Sequence, residues 1–219
     1  MENYILQKIL MIPAILIGFT VHEYSHALVA DKLGDKTPKF QGRLTLNPIS
    51  HIDLIGFIMI LFFGFGYAKP VEVNPRAFKH YYKDDLKVSF AGPFSNLVTA
   101  FIFAILYGIL DRYVFSLSAI LSYIQIIFLY IIQINCMLFL FNLIPIPSLD
   151  GFHILRDLYP KYFYKIQEKV YRYQLLILLI FIFPLPGLQN SLAWYIIGIP
   201  SYGITNLFIK IGMIIFGVM

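Results

Sequence analysis

From Val114 to Leu149 the chain runs 36 residues without a charged side chain, and from Val88 to Leu110 another 23. Crossing the hydrocarbon core of a bilayer takes roughly 20 apolar helical residues, so each block is long enough for one crossing. A third run, Ile9–Ala30, contains only Glu23 among the charged types, and a fourth, Tyr173–Ile209, is uncharged but interrupted by Pro184, Pro186 and Pro200. Charged residues make up 13% of the chain and hydrophobic ones 59%, whereas a soluble domain is about a quarter charged. These charges are too few to cover a globular surface. The chain is therefore predicted to be an α-helical polytopic membrane protein with about 4–6 membrane helices. It forms a single integral-membrane domain over residues 1–219, with a core at 5–155 and additional C-terminal membrane helices within 173–219.

The first run carries polar residues late in its length and has no clear small-residue cleavage site, so it is expected to be a retained span rather than a signal peptide. The net charge of +5 is gathered in loops, where it acts as a topological signal. No basic face with interleaved aromatics appears, so no nucleic-acid partner is expected. Cys136, the single cysteine, allows no intrachain disulfide.

The polar interruption of the first run is the sequence His-Glu-Tyr-Ser-His at 22–26. On a helix, residues four apart share a face with Cβ atoms roughly 6 Å apart, so His22 and His26 can hold one metal ion. Glu23 lies beside them, placed to take a proton from water at that metal. Five residues with three fixed are a weak pattern alone. Ionisable groups inside an apolar span are costly, however, and usually functional. A catalytic zinc ion needs a third protein ligand and an open position. Asp150 is the candidate, following the longest apolar block and the prolines Pro145 and Pro147. Proline cannot continue a regular helix, so the chain is expected to unwind there and aim the carboxylate. The plainer reading of Leu149-Asp150-Gly151 is a turn.

Three segments together, His22–Ala30 (HEYSHALVA), Phe90–Asn96 (FAGPFSN) and Asn142–Gly151 (NLIPIPSLDG), resemble in content and order the signature motifs of the site-2 protease family of intramembrane zinc metalloproteases. Gly42–Asp53 (GRLTLNPISHID) and Gly66–Arg76 (GYAKPVEVNPR) are similar to its short prokaryotic branch, without PDZ or CBS-type domains. The resemblance covers most of Ile5–Leu155. It implies one Zn2+ held by His22, His26 and Asp150, with Glu23 as general base. It implies that Asn142 helps to hold substrate or the developing oxyanion. Asn96 is implied either to support the core or to contact substrate. The implied activity is hydrolysis of peptide bonds in or near the transmembrane segment of single-span membrane proteins, in regulated intramembrane proteolysis or in clearing signal-peptide remnants. Tyr24 and Ser25 within HExxH, and Phe152 after Asp150-Gly151, depart from the family's common residues without removing a chemical group.

Zinc ligands must meet at one depth, and this restricts the topology. If Leu54–Ala68 crossed the membrane, Asp150 would end on the side away from the histidines. Its 15 uncharged residues fall short of the ~20 needed to span, so a re-entrant or in-plane element is expected, with part of Phe40–Pro48 strand-like. The resemblance implies an intramembrane sheet whose edge could take a substrate strand. Of the seventeen Lys and Arg residues, only Lys8, Arg112 and Lys210 then lie on the far side, leaving fourteen on the histidine side. By the positive-inside rule that side is cytoplasmic. The protein is thus expected in the cell membrane, multi-pass, with its active site near the cytoplasmic face and its N-terminus outside.

Three other readings compete. A zinc-binding membrane regulator without proteolysis would not need Glu23. A transporter would be expected to show paired repeats with broken helices, and HEYSH has no counterpart elsewhere in the chain. A membrane metalloprotease that cuts soluble segments is separated from the main reading only by the depth of the histidines. Among the remaining histidines, His51 and His80 are expected in loops or interfaces, and His153 is not expected to be a ligand. Asp53 is expected to cap or pair at the edge of its apolar stretch. Oligomeric state is not legible in the sequence.

Overall fold

The structure, a computed structural model, describes residues 2–64, 66–114 and 119–217. Four helices are long and apolar enough to cross a membrane: Tyr4–Lys32, Tyr81–Arg112, Leu121–Asn142 and Trp194–Ile215. They belong to α1 (Glu2–Lys32), α4 (Tyr81–Val114), α5 (Ala119–Asn142) and α9 (Ile199–Ile215). Trp194–Gly198 adds a π-helical turn at the start of the last span. Only 28%, 33%, 33% and 17% of the respective apolar windows are buried within the protein. The remaining apolar surface is too extensive for a water-facing monomer and fits contact with lipid.

α1, α4 and α5 form the core. Ala14, Ile15 and Phe19 of α1 pack on Ile131, Ile134 and Leu138 of α5, and Ala100 and Ala104 of α4 pack on Ile132 and Cys136 of α5. α4 runs antiparallel to α1: Val88 lies near His26 and Asn96 near Gly18. α9 lies along α4 in the same direction, crossing it where Gly108 faces Gly212. A Cβ on either glycine would strike the other helix's backbone, so the absence of side chains there permits the close approach. At the far end Arg112 donates to the Gly217 carbonyl at 3.0 Å.

Between α1 and α4 the chain makes a short helix α2 (Thr37–Phe40) and a ten-residue apolar helix α3 (Leu54–Phe63). Asp53 caps α3, its carboxylate accepting from the Gly56 amide at 2.9 Å, and Gly64 ends it in the left-handed region at φ 79°. The two flanks of α3 meet again. Ile52 and Ala68 form an antiparallel bridge, and the Lys69 amide donates to the His51 carbonyl at 2.9 Å. The segment thus leaves and returns at one place, as expected of a re-entrant or in-plane element. The strand-like expectation for Phe40–Pro48 takes another form: among the described residues there are isolated bridges but no strand. Pro38 and Pro48 sit at first-turn positions and start helical turns instead. The buried Arg43 guanidinium donates to the carbonyls of Ser50, Lys69 and Pro70. A side chain satisfies acceptors that a neighbouring strand would otherwise take.

After α5 the chain unwinds over residues 143–149 and then forms α6 (Asp150–Leu158), α7 (Pro160–Arg172) and α8 (Gln174–Ile182). Of the membrane helices expected in 173–219, one is a full span. α8 has nine residues, roughly 14 Å of helix, which is too short to cross. The chain then turns back through the Pro184–Ser191 bridge into α9. That turn lets α9 run parallel to α4.

Candidate metal centre

His22 and His26 lie on the face of α1 that meets α4, with Glu23 between them, and all three are buried. The residues following α5 bring Asp150 to the same place. Ser148 occupies the left-handed region at φ 77°, a strained conformation for a residue with a Cβ. It turns the chain after Pro145 and Pro147 so that Asp150 opens α6. The aspartate thus begins a helix, just past the unwound stretch in which it was expected. Its carboxylate stands at the positive end of that helix. The metal-ligating atoms of His22, His26 and Asp150 all lie within 4.8 Å of one another. The two Nε2 atoms are 3.0 Å apart, and Asp150 oxygens lie 3.1 Å from His22 Nε2 and 3.3 Å from His26 Nε2.

The surrounding contacts fix the imidazole tautomers. His26 Nδ1 is 2.7 Å from the Val88 carbonyl, which can only accept, so Nδ1 carries the proton. His22 Nδ1 is 2.7 Å from Asn96 Oδ1. The Asn96 amide nitrogen donates to the Gly18 carbonyl and to Asn135 Oδ1, each at 2.9 Å, and Asn135 in turn donates to the Ile131 carbonyl. That chain orients Asn96 with its oxygen toward His22, so His22 Nδ1 is also the donor. With both Nδ1 atoms donating, the two Nε2 atoms face each other and the Asp150 carboxylate. Asp150 Oδ2 is buried without a hydrogen bond. Neutral imidazoles at these distances would each present an Nε2 lone pair to a metal ion placed among them. Two imidazoles and a carboxylate fit a zinc ion with an open position. The bonds at Nδ1 are the outer contacts that orient such ligands.

Gly92 makes this packing possible. A Cβ there would collide with His26 Nε2 and stand 2.6 Å from the Cε1 and 2.7 Å from the Nε2 of His22. α4 can lie directly against the imidazoles only because this residue has no side chain. Pro93, fully buried beside it, has no amide to donate to Ser89 and so relaxes the helix at the same level.

Glu23 Oε2 accepts from the Val71 amide at 2.8 Å. Val71 belongs to the extended stretch after α3, whose carbonyls at 69 and 70 are held by Arg43. This stretch is therefore tied to both the turn at 48–50 and the acidic side chain of the motif.

Of the residues singled out in the sequence, His22, Glu23, His26, Asp150 and Asn96 come together. Asn142 ends α5 and directs its amide nitrogen to the Leu138 carbonyl at 3.0 Å. His153 is exposed, and His51 is fully buried with Nε2 2.7 Å from the Thr45 carbonyl. Sequence reasoning missed Asn135, Gly92 and Arg43 as parts of the site. Gly92 and Arg43 lay within the quoted motifs, so a signal existed. Asn135 lay in an apolar block, where a polar amide was itself the unheeded sign.

A paired-histidine and carboxylate group that could hold a metal ion lies in a bundle of helices long and apolar enough to cross a membrane, with a second carboxylate beside it, the arrangement of a membrane metalloprotease. The profile of Peptidase family M50 matches residues 10–128 and 112–185, and the chain belongs to that family, the site-2 proteases. Its relatives include three proteins provisionally named zinc metalloproteases. YwhC of Bacillus subtilis (strain 168) is 45% identical over 73% of this chain and 75% of its own length. MJ0611 of Methanocaldococcus jannaschii is 32% identical over 69% of this chain and 72% of its own. Rip2 of Mycolicibacterium smegmatis is 30% identical over 70% and 58% respectively. No solved structure matches the chain.

Proposed function

We propose that this metalloprotease cleaves within the membrane, hydrolysing peptide bonds in or near the transmembrane segment of single-span proteins. One observation carries the reading: the two histidine ligands and the base belong to an apolar span. His26 lies six residues before Lys32, the end of the span Tyr4–Lys32, about 9 Å of helix. A groove of 390 Å³ runs beside the same helix, lined by Pro13, Leu16, Ile17, Thr20, Val21, Leu46 and Pro48. It ends one residue before His22, and its nearly all-apolar lining suits a hydrophobic segment rather than a soluble loop.

His22, His26 and Asp150 hold the zinc, which when bound supplies Lewis-acid polarisation of water and of the scissile carbonyl. Asn96 and the Val88 carbonyl fix the two imidazoles. Glu23, one residue from the first ligand, takes the proton from the attacking water and returns it to the leaving amine. Asn142 is assigned to the substrate or the developing oxyanion, which it would reach by giving up its bond to Leu138. The substrate helix unwinds locally before attack, because helical peptide groups are shielded by their own hydrogen bonds. The active site opens toward the cytoplasmic face of the cell membrane, the side on which most of the Lys and Arg residues lie. Regulated intramembrane proteolysis and clearance of signal-peptide remnants are the processes this activity would serve.

The test pairs zinc content with cleavage of a single-span substrate in liposomes, for wild type and Glu23→Gln. Zinc in both with cleavage only in the wild type is expected. Cleavage by the variant at the wild-type rate would remove Glu23 from its role. Cutting confined to soluble segments of the substrate would remove the intramembrane reading.

A further inference from the structure

α7 (Pro160–Arg172) is strongly amphipathic and supplies none of the clustered His22, His26 and Asp150 groups. Lys161, Lys165, Lys169 and Arg172 are all exposed. At 3.6 residues per turn they fall within roughly 80° of one another on the helix surface, forming one stripe the length of the helix. Among the described residues none of the four takes part in an ion pair, and Glu168 is the only acid on the helix. Arg156 on the neighbouring α6 shows the contrast: its guanidinium is bound to Asp85 and Asp157.

The rest of α7 is organised around that stripe. Phe163, on the opposite side, is buried and meets Phe152 of α6 edge-to-face with ring centroids 4.7 Å apart; Tyr171 meets the same ring at 5.2 Å. Next to the stripe lies a shoulder of exposed apolar and aromatic groups, Tyr162 at 70%, Ile166 at 46% and Tyr173 at 53%. Lys165 Nζ sits over the Tyr162 ring at 5.8 Å. In water such a shoulder would be an unexplained apolar patch. At a bilayer surface it is the part of a helix that enters the headgroup region, with cations reaching phosphates and tyrosine at the boundary. The chain path agrees. α7 follows α6 on the metal-centre side and leads into α8, a nine-residue helix of apolar residues after its first Gln174.

We propose that α7 is a membrane-surface helix that binds anionic phospholipid headgroups through Lys161, Lys165, Lys169 and Arg172. Charge complementarity selects the headgroup, and the exposed shoulder selects a lipid surface over a soluble anion. The helix is also joined to the zinc ligand. Phe152, two residues after Asp150, is the ring on which α7 packs, so a seated α7 steadies the start of α6. The binding itself does not depend on proteolysis.

The test measures lipid selectivity directly. Wild type and K161Q/K165Q/K169Q/R172Q are reconstituted in phosphatidylcholine, with trace spin-labelled phosphatidylglycerol or spin-labelled phosphatidylcholine as probe. The wild type is expected to hold the anionic probe roughly three- to fivefold more strongly than the neutral one. That preference should shrink with added salt and be lost in the quadruple variant. Lys8→Gln/Lys210→Gln, altered at the other membrane face, should keep it. Bound zinc serves as the check on folding; if the quadruple variant lacks zinc, Lys165→Gln and the salt titration of the wild type carry the comparison. Equal retention of both probes by the wild type would overturn the proposal, as would a preference unchanged by the substitutions. Displacement of the lipid probe by an acidic soluble peptide at lower concentration than by lipid would reassign the surface to a protein partner and overturn it as well.

Discussion

The amide of Val71 donates to Oε2 of Glu23 at 2.8 Å, joining the stretch after the re-entrant helix to the acidic residue of the HExxH motif. Arg43 holds that stretch in place by donating to the carbonyls immediately before Val71 and to Ser50 across the turn. The position of the carboxylate is thus set by an element outside its own helix.

Replacing Arg43 by Gln should leave the metal ligands intact and disturb Glu23. Three carbonyl partners would be lost, and each group left buried and unsatisfied costs about 1–3 kcal/mol. The expected result is a lower unfolding temperature and at least about tenfold slower cleavage, with zinc still bound. Metal analysis and cleavage rates on one preparation check it. Loss of zinc in parallel with activity would show that the arginine supports the whole centre rather than the base.

Asn96→Ala removes the acceptor from His22 Nδ1 and breaks the link to Asn135. Outer contacts of this kind typically contribute about 10–100-fold in metal affinity. Zinc should therefore be released to a competing chelator at correspondingly lower chelator concentration. Asn135→Ala should weaken binding in the same direction and less, because Asn96 keeps its bond to Gly18.

Gly92→Ala tests whether α4 must touch the imidazoles. The added methyl would occupy the space of both ring edges, and overpacking of a tight site costs about 1–3 kcal/mol. The variant should remain helical by circular dichroism but bind zinc weakly. Normal zinc binding would mean that α4 can move away at little cost.

Removing the metal should abolish cleavage, and returning Zn2+ should restore it. Unfolding should occur at lower temperature in the metal-free protein, since a ligand bound only by the folded state stabilises it. Differential scanning of the two forms reads this directly.

The topology can be labelled. Cys136 is fully buried and can be replaced by Ala to give a cysteine-free background. Lys39→Cys and Lys161→Cys should react with an impermeant reagent from the same side of the membrane. Lys210→Cys, near the end of α9, should react from the other. Labelling of Lys161→Cys and Lys210→Cys from one side would contradict the turn made after α8.

The sequence by itself determined the class of structure and the chemistry. Charge-free runs longer than a bilayer crossing leave few alternatives to membrane helices, and helical periodicity puts His22 and His26 on one face whatever surrounds them. It also indicated that the Leu54–Ala68 segment returns to where it starts, because a span there would have parted Asp150 from the histidines, and its flanks do meet. It did not fix the form of the neighbouring backbone. Prolines 38 and 48 and the carbonyl-binding Arg43 replace the expected strand, and the replacement depends on contacts between residues more than twenty positions apart. Nor could it show that the last apolar run makes one crossing rather than two, since composition alone does not reveal the return at Pro184–Ser191. Only the tertiary structure decided which polar residues meet the histidines. Asn96 reaches His22 and Asn142 turns back to Leu138 because hydrogen-bond partners are set by helix packing and rotation, which a linear spacing does not record. The same holds for Gly92: its missing side chain has meaning only once another helix lies against it.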